Sequence, residues 1–147
     1  MNASTLCSLA TVSPPGRAHI NHMYFAWSDS FDVFWISDPD SVHSRNLART
    51  SSAAVTIYDS TQTWGRPDRG IQLFGAGGIA GGRIIKAAEL AYSKRFPALD
   101  PEQSLPFYRF RPRTVKLFHE PMLGGATLVT ARVVAGGLAW AKTEVWA

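Results

Sequence analysis

Short apolar runs separated by turn residues make up most of this 147-residue chain. Runs rich in β-branched and aromatic residues and bounded by Gly, Pro, Ser and Asp are typical of strands. They predict strands at Leu6–Val12, Arg17–Trp27, Phe31–Ser37, Ala53–Tyr58, Arg69–Ile79, Phe107–Glu120 and Ala126–Val134. The turn Ser13–Gly16 should join the first two strands in a hairpin, and Gly75, Gly77 and Gly78 indicate a bulge or tight bend.

Two segments interrupt the strands with helical patterns. Ser41–Arg49 predicts a short helix, and Ile84–Phe96 has apolar residues at helical spacing. The tail Leu138–Ala147 is expected to be an edge strand or a partner-binding extension. Six or seven short strands with hairpin turns predict a mainly β fold, an antiparallel barrel with two short helices. The length predicts a single domain over residues 1–147.

Composition narrows the classes of function. The chain is 46% hydrophobic and 18% charged, as in globular proteins, and no apolar run is long enough to span a membrane. One cysteine excludes an intramolecular disulfide framework, and the N-terminus lacks signal-peptide features, so we expect a soluble cytoplasmic protein. The net charge of +4 comes mostly from scattered arginines, which favours a small anionic ligand over nucleic acid or a membrane.

The segment FDVFWISDPDSVHSRNLAR, residues 31–49, carries the strongest chemical signal. A strand ends at Ser37, an acidic turn follows, and a helix opens with Ser41, His43 and Arg45. Helix N-termini expose unpaired N–H groups and the positive end of the helix dipole, so they attract phosphate. The segment therefore suggests a phosphorylated cofactor or substrate. The alternative is that Asp40 or Ser41 simply caps a surface helix.

Three other signals favour structural interpretations. Residues 75–80, GAGGIA, match a dinucleotide-binding pattern, but the surrounding meander of strands favours glycines at a barrel corner. His19 and His22 lie three apart on a strand and point to opposite faces, so we expect no metal site. Cys7 lies among apolar neighbours and is expected to be a buried structural residue.

The order of several motifs gives a family resemblance from about Leu9 to Gly75. LATVSPPGRAHI is followed by an aromatic strand, then by SDPDSVHSRNLAR, AAVTIYD and RGIQLFG. This order and spacing resemble the pyridoxamine 5′-phosphate oxidase-like superfamily, the flavin-binding split β-barrels. Downstream, FYRFRPRTVKLF looks like a later barrel strand of the same family, more loosely.

The resemblance implies a split β-barrel homodimer with its cofactor at the subunit interface. The cofactor is usually FMN, while one branch uses the deazaflavin F420 and another handles haem. By position, the phosphate would be held by Ser37, Ser41 and His43. The ring system would meet the second strand and the fifth strand, which point to Asn21, His22 and Tyr24, and to Arg69, Gly70 and Gln72.

The sequence differs from the family pattern at His43, where the family usually carries Lys or Arg. Histidine has an ordinary pKa of about 6.5, so it is a weaker and pH-dependent phosphate partner. The leading hypothesis is an FMN-binding oxidoreductase acting on a small molecule of unknown identity. The alternatives are an F420-dependent reductase and a non-catalytic flavin- or haem-binding dimer. No catalytic residue is assigned, although His22 is the first candidate for any proton transfer.

Overall fold

The computed structural model describes residues 1–2, 4–98 and 104–146. Its nine strands are β1 Leu6–Ser13, β2 Arg17–Tyr24, β3 Ala26–Trp27, β4 Val33–Ile36, β5 Ser52–Tyr58, β6 Arg69–Ile79, β7 Phe107–His119, β8 Thr127–Val134 and β9 Gly137–Val145. Its three helices are α1 Val42–Arg49, α2 Arg83–Arg95 and α3 Glu120–Leu123. Ala147, the last residue of the predicted tail, lies outside the described residues.

The first hairpin forms as the sequence predicts. β1 and β2 pair antiparallel, with Leu6 opposite Tyr24 and Ser13 opposite Arg17. Gly16 makes the turn possible, because its φ of +99° lies in a region that side chains disfavour. The predicted single strand Arg17–Trp27 is interrupted at Phe25, which is fully buried. After this break the chain leaves β1 and pairs with β4 as β3.

All strand pairs are antiparallel, as predicted, and the described strands form one sheet. The order is β2-β1-β5-β6-β7-β4-β3, while β8 pairs with β7 and β9 pairs with β8. The sheet is not closed, which agrees with a split rather than a continuous barrel. Nine strands replace the expected six or seven, because β3 is a separate element and the tail forms the edge strand β9.

The pairing of β6 with β7 is irregular at the glycines of β6, because Arg113 of β7 has no partner in the register. The register with β7 shifts between Phe74 and Gly75. A Cβ atom at Gly75 would lie 2.1 Å from the Arg111 backbone oxygen, so only glycine permits this close approach. The other glycines of the dinucleotide-like pattern lie inside β6, and α2 begins only at Arg83. The strand therefore does not turn directly into a helix, as the dinucleotide-binding pattern would require.

The core lies on the inner face of the sheet. Its fully buried members include Leu9, Val33, Trp35, Leu73 and Phe110. The helix α1 packs mainly on β1 and β6, and α2 covers a second apolar cluster beside β3 and β4. The predicted strand Phe107–Glu120 ends one residue early, because a Pro at the second position of the next turn favours the helix α3. Among the described residues, no helix is long and apolar enough to cross a membrane.

Candidate functional site

The structure brings together Ser37, Ser41 and His43, which we call the serine–histidine cluster. Ser37 directly follows β4, and Ser41 is the N-cap of α1, where its hydroxyl accepts from the Ser44 backbone N–H. His43 Nε2 lies 2.7 Å from Ser37 Oγ and 3.2 Å from Ser41 Oγ. The two serine hydroxyls are 3.3 Å apart. Three polar side chains therefore converge beside the first turn of an eight-residue helix.

Packing of α1 against the sheet places the cluster. Asn46 is buried and its Nδ2 donates to Thr11 Oγ1 on β1 at 3.0 Å. Leu47 packs over Gly77 of β6, where a side chain larger than hydrogen would press against it. Arg45 takes no part in the cluster, because its guanidinium donates to the backbone oxygen of Asp40. The cluster is thus held by core contacts, and its nearest arginine is turned away.

Burial controls the charge of the cluster. His43 is only 6% exposed, and this burial lowers the pKa of its imidazole below the ordinary value. The nearby imidazole of His19 on β2 lowers the same pKa further by charge repulsion. His43 is therefore neutral at pH 7, with one nitrogen able to donate and one able to accept. Two hydroxyls, this imidazole and the helix N-terminus form a set of donors suited to a phosphate group.

The three expected residues of β2 do not share one face. His22 lies opposite Ser8, whereas Asn21 lies opposite the buried Leu9, so their side chains point to opposite sides of the sheet. His22 Nδ1 is 2.9 Å from Ser8 Oγ. Tyr24 shares the face of His22 and is exposed. Asn21 is therefore on the side of the core, while His22 and Tyr24 are on the outer face.

The alternation also separates the two histidines considered for a metal. His19 lies opposite the buried Thr11 and His22 opposite Ser8, on the two faces of the sheet. Within the part of the chain that the structure describes, no group of three His, Cys, Asp or Glu side chains could hold a metal ion. Cys7 is buried as expected, and burial raises the pKa of its thiol to about 12, so it is not an activated nucleophile.

Arg69 and Gly70 lie far from the serine–histidine cluster. They begin β6, whereas α1 packs near Gly77, seven residues further along the same strand. At about 3.3 Å per residue this separation is about 23 Å. Gln72 lies between these positions on the outer face, opposite Thr56 and Lys116. The chain therefore gathers the expected phosphate residues but not the expected residues of β6.

His19 is the residue of this site that sequence reasoning missed as a neighbour of His43. The sequence shows only its spacing from His22, which suggests a metal ligand and not a neighbour of His43. Its position near His43 depends on how α1 folds over β1 and β2. A pattern along one strand contains no signal for that contact.

Comparison with known proteins agrees with the fold. The sequence profile of the family described as pyridoxamine 5′-phosphate oxidase matches residues 1–117. A pyridoxamine 5′-phosphate oxidase-related, FMN-binding protein from Nostoc punctiforme superposes with a TM-score of 0.67 at 13% identity, over 97% of this chain and 87% of that one. A conserved hypothetical protein from Mycobacterium tuberculosis gives 0.68 at 19% identity, over 84% and 82%.

Some similar structures are considerably longer. A haem-binding protein from Mycobacterium smegmatis gives a TM-score of 0.69 at 16% identity, but 97% of this chain covers only 53% of it. The chain likewise covers 51% of a protein of unknown function from Agrobacterium tumefaciens. No curated protein matches the sequence. The profile match extends over most of the chain and the structural matches share its sheet, so the chain belongs to the pyridoxamine 5′-phosphate oxidase family.

Proposed function

We propose that this protein is an FMN-binding oxidoreductase that holds the cofactor phosphate at the serine–histidine cluster. The observation that carries the proposal is the convergence of Ser37, Ser41 and His43 within 3.3 Å of one another at the start of α1. This arrangement occurs in a chain whose family is described as pyridoxamine 5′-phosphate oxidase. The residues fit a phosphate, because all three side chains can donate hydrogen bonds to one anion.

The cluster residues would bind and orient the cofactor. The two hydroxyls now hydrogen-bond to His43 Nε2, and a phosphate oxygen would replace these contacts. The N-terminal N–H groups of α1 add donors of fixed direction, and the helix dipole favours a negative charge there. Bound flavin supplies hydride or electron transfer, and the chain supplies placement and electrostatics.

β2 is the end strand of the sheet order, so a ring that meets its free edge can contact side chains of both faces. Asn21 lies on the core side, where α1 also packs, while His22 and Tyr24 lie on the outer face. Gly70 lies about 23 Å along β6 from Gly77, where α1 packs, and Arg69 lies one residue further. We therefore assign them no contact with a cofactor bound at the cluster of the same chain. If a proton donor is needed beside the ring, His22 remains the first candidate.

We further propose that the outer face of β1, β2, β5 and β6 packs against a second copy of the chain. Apolar side chains are exposed there, including Ile20 at 63% and Phe74 at 41%. Between these two lies a groove of about 250 Å³. Ala10 and Ala54 lie in the same row as Ile20 and Phe74, and the polar residues Ser8, Thr56 and Gln72 line the groove in the next row. Exposed apolar side chains around a groove are typical of an interface.

Light scattering after size-exclusion chromatography tests whether the protein forms a dimer. The wild-type protein is expected to run as a dimer, and Ile20→Glu is expected to give a monomer. Leu90→Glu is the matched control, because Leu90 is 70% exposed on α2 and lies away from this face. A monomeric wild type, or equal behaviour of the two variants, would contradict the proposed interface.

Spectroscopic titration tests the cofactor. We expect FMN to bind more tightly than riboflavin, which has the same ring and no phosphate. Ser37→Ala should weaken FMN binding about tenfold, by roughly 1.4 kcal/mol, and leave riboflavin unchanged. An equal loss of affinity for FMN and for riboflavin would contradict the assignment of the phosphate contact to Ser37. Tighter binding of F420 than of FMN would select the deazaflavin alternative, and turnover with a reduced nicotinamide would distinguish an enzyme from a binding protein.

Haem binding is the second candidate, because His22 has the arrangement of a metal-binding histidine. Its Nδ1 is fixed by Ser8 Oγ at 2.9 Å, and the side chain is exposed. Histidine ligands of metals usually have the other ring nitrogen hydrogen-bonded in this way. Haemin titration of wild type and His22→Ala tests it. A Soret shift that the variant loses would favour haem, and identical spectra would exclude His22 as its ligand.

A further inference from the structure

A second cavity opens at the mouth of the barrel, far from the serine–histidine cluster. It has a volume of about 290 Å³ and lies between the start of β6 and the end of β7. Its floor is apolar, formed by Ile57, Ile71 and Leu117, and its rim carries Arg69, His119 and Asp59. Barrel mouths with an apolar lining and a few convergent polar groups are common places for small ligands.

Strand pairing places the two basic rim residues side by side. Arg69 and His119 are direct partners across β6 and β7, so their Cβ atoms are about 5 Å apart. Ile71 and Leu117 are the next residues on the same face and are partners in turn. A ligand can therefore contact the apolar floor and the basic rim together.

The Arg69 guanidinium keeps free hydrogen-bonding capacity. Its Nη2 lies 3.7 Å from Asp59 Oδ2, beyond the roughly 2.8 Å of a close charge-assisted hydrogen bond. The Arg69 side chain is half exposed. Asp59 Oδ1 instead accepts from Thr61, from its Oγ1 at 2.7 Å and its backbone N–H at 3.0 Å. Asp59 thus stabilises its own loop and holds Arg69 only in a loose ion pair, which leaves most donors of the guanidinium available.

His119 supplies an imidazole beside Arg69 in the lining of the cavity. Its Nδ1 is buried and has no hydrogen-bond partner among the described residues. Because this nitrogen has almost no accessible surface, it does not face the cavity, and a ligand there can contact only the remaining edge of the imidazole. A ligand oxygen in this cavity would lie between the imidazole of His119 and the guanidinium of Arg69.

We propose that the barrel-mouth cavity binds a small amphipathic carboxylate, with its apolar body on the floor and its carboxylate on Arg69 and His119. The planar fork of arginine matches a carboxylate in two-point contact. Asp59 stays ionised, because hydrogen bonds from Thr61 lower the pKa of its carboxyl, and its charge disfavours a dianion such as phosphate. A cavity of about 150 Å³ can hold benzene, so this larger one can hold an aromatic acid.

Benzoate is the probe that tests the proposal. Titration followed by amide chemical shifts should give saturable binding, with the largest shifts at residues 69–71 and 117–119. Arg69→Gln should weaken the affinity at least about fivefold, since a charge-assisted contact is lost. Arg66→Gln is the matched control, because it removes the same charge from an exposed loop residue nearby, and it should bind benzoate as the wild type does.

Two further competition measurements test which ligand chemistry the cavity selects. Benzyl alcohol, which is neutral, should bind more weakly than benzoate, and inorganic phosphate should not displace benzoate. Saturating FMN should leave the benzoate affinity unchanged, so failure of the flavin proposal would not affect this one. No saturation by benzoate, equal affinity in the two arginine variants, or displacement by phosphate or FMN would overturn the carboxylate site.

Discussion

Replacing His43 by Lys should remove a pH dependence of FMN binding that the native cluster creates. In the free protein, burial and the neighbouring His19 hold the pKa of His43 below its ordinary value. A phosphate beside Nε2 would raise the same pKa, because it stabilises the charged imidazolium. At a pH between the pKa of His43 in the free protein and its pKa in the FMN complex, binding of FMN should therefore take up a proton. Measured from about pH 8 down towards about pH 6.5, the dissociation constant should fall once the pH drops below the raised pKa of the complex.

The expected size of the change in FMN affinity follows from the hydrogen bond that becomes charge-assisted. A charge-assisted hydrogen bond is roughly twice as strong as a neutral one, and a gain of about 1.4 kcal/mol is a tenfold change in affinity. Below about pH 6 the phosphate itself becomes protonated, and the gain should be lost. His43→Lys keeps its charge across this range, so it should bind FMN about tenfold more tightly at the upper end and show a nearly flat profile.

Fluorescence quenching of FMN across this range is the assay. Riboflavin should show no such slope, since it has no phosphate. His19→Gln is the control for the other imidazole, and it should keep the slope, because His19 acts only by lowering the pKa of His43. The reasoning is refuted if His43→Lys keeps the wild-type slope, or if riboflavin shows the same slope as FMN.

Two stability predictions test the fold around the site. Gly75→Ala should lower the free energy of unfolding by roughly 2 kcal/mol, because its Cβ would lie 2.1 Å from a backbone oxygen of β7. Gly78→Ala meets nothing within 4 Å, and urea denaturation that shows equal losses for both would contradict this account. Asp32→Asn should cost about 3 kcal/mol, because Arg109 loses a buried partner at 2.7 Å. The exposed Asp29→Asn should change the melting temperature little, and an equal effect of both changes would be inconsistent with a buried ion pair.

The local pattern of residues was enough to predict most elements. β1, β5 and β6 begin or end within one residue of the segments expected from apolar runs and turn residues. The helix α1 starts directly after Ser41, as its capping residue indicates. The exceptions arose where contacts distant in sequence decide the structure. Phe25 reads as part of one strand, but its burial in the core coincides with the point where the chain changes partner.

The same distinction between local and long-range contacts applies to the candidate site. Ser37, Ser41 and His43 lie within seven residues of one another, so a strand end and a helix start suffice to bring them together. His22, Asn21 and Arg69 come from separate strands or faces, and their spacing along the chain contains no distance information. Only the register of β1 with β2 shows that His22 contacts Ser8 while Asn21 faces the core.

The sequence by itself determined the class of the fold, the position of nearly every strand and helix, and the serine–histidine cluster, because these depend on alternation, turn residues and short-range capping. The tertiary structure alone decided the order of strands in the sheet, the lowered pKa of His43, the pairing of Arg69 with His119 and the separation of Arg69 from the cluster along β6. Each of these depends on long-range pairing and burial, which are properties of the packed sheet.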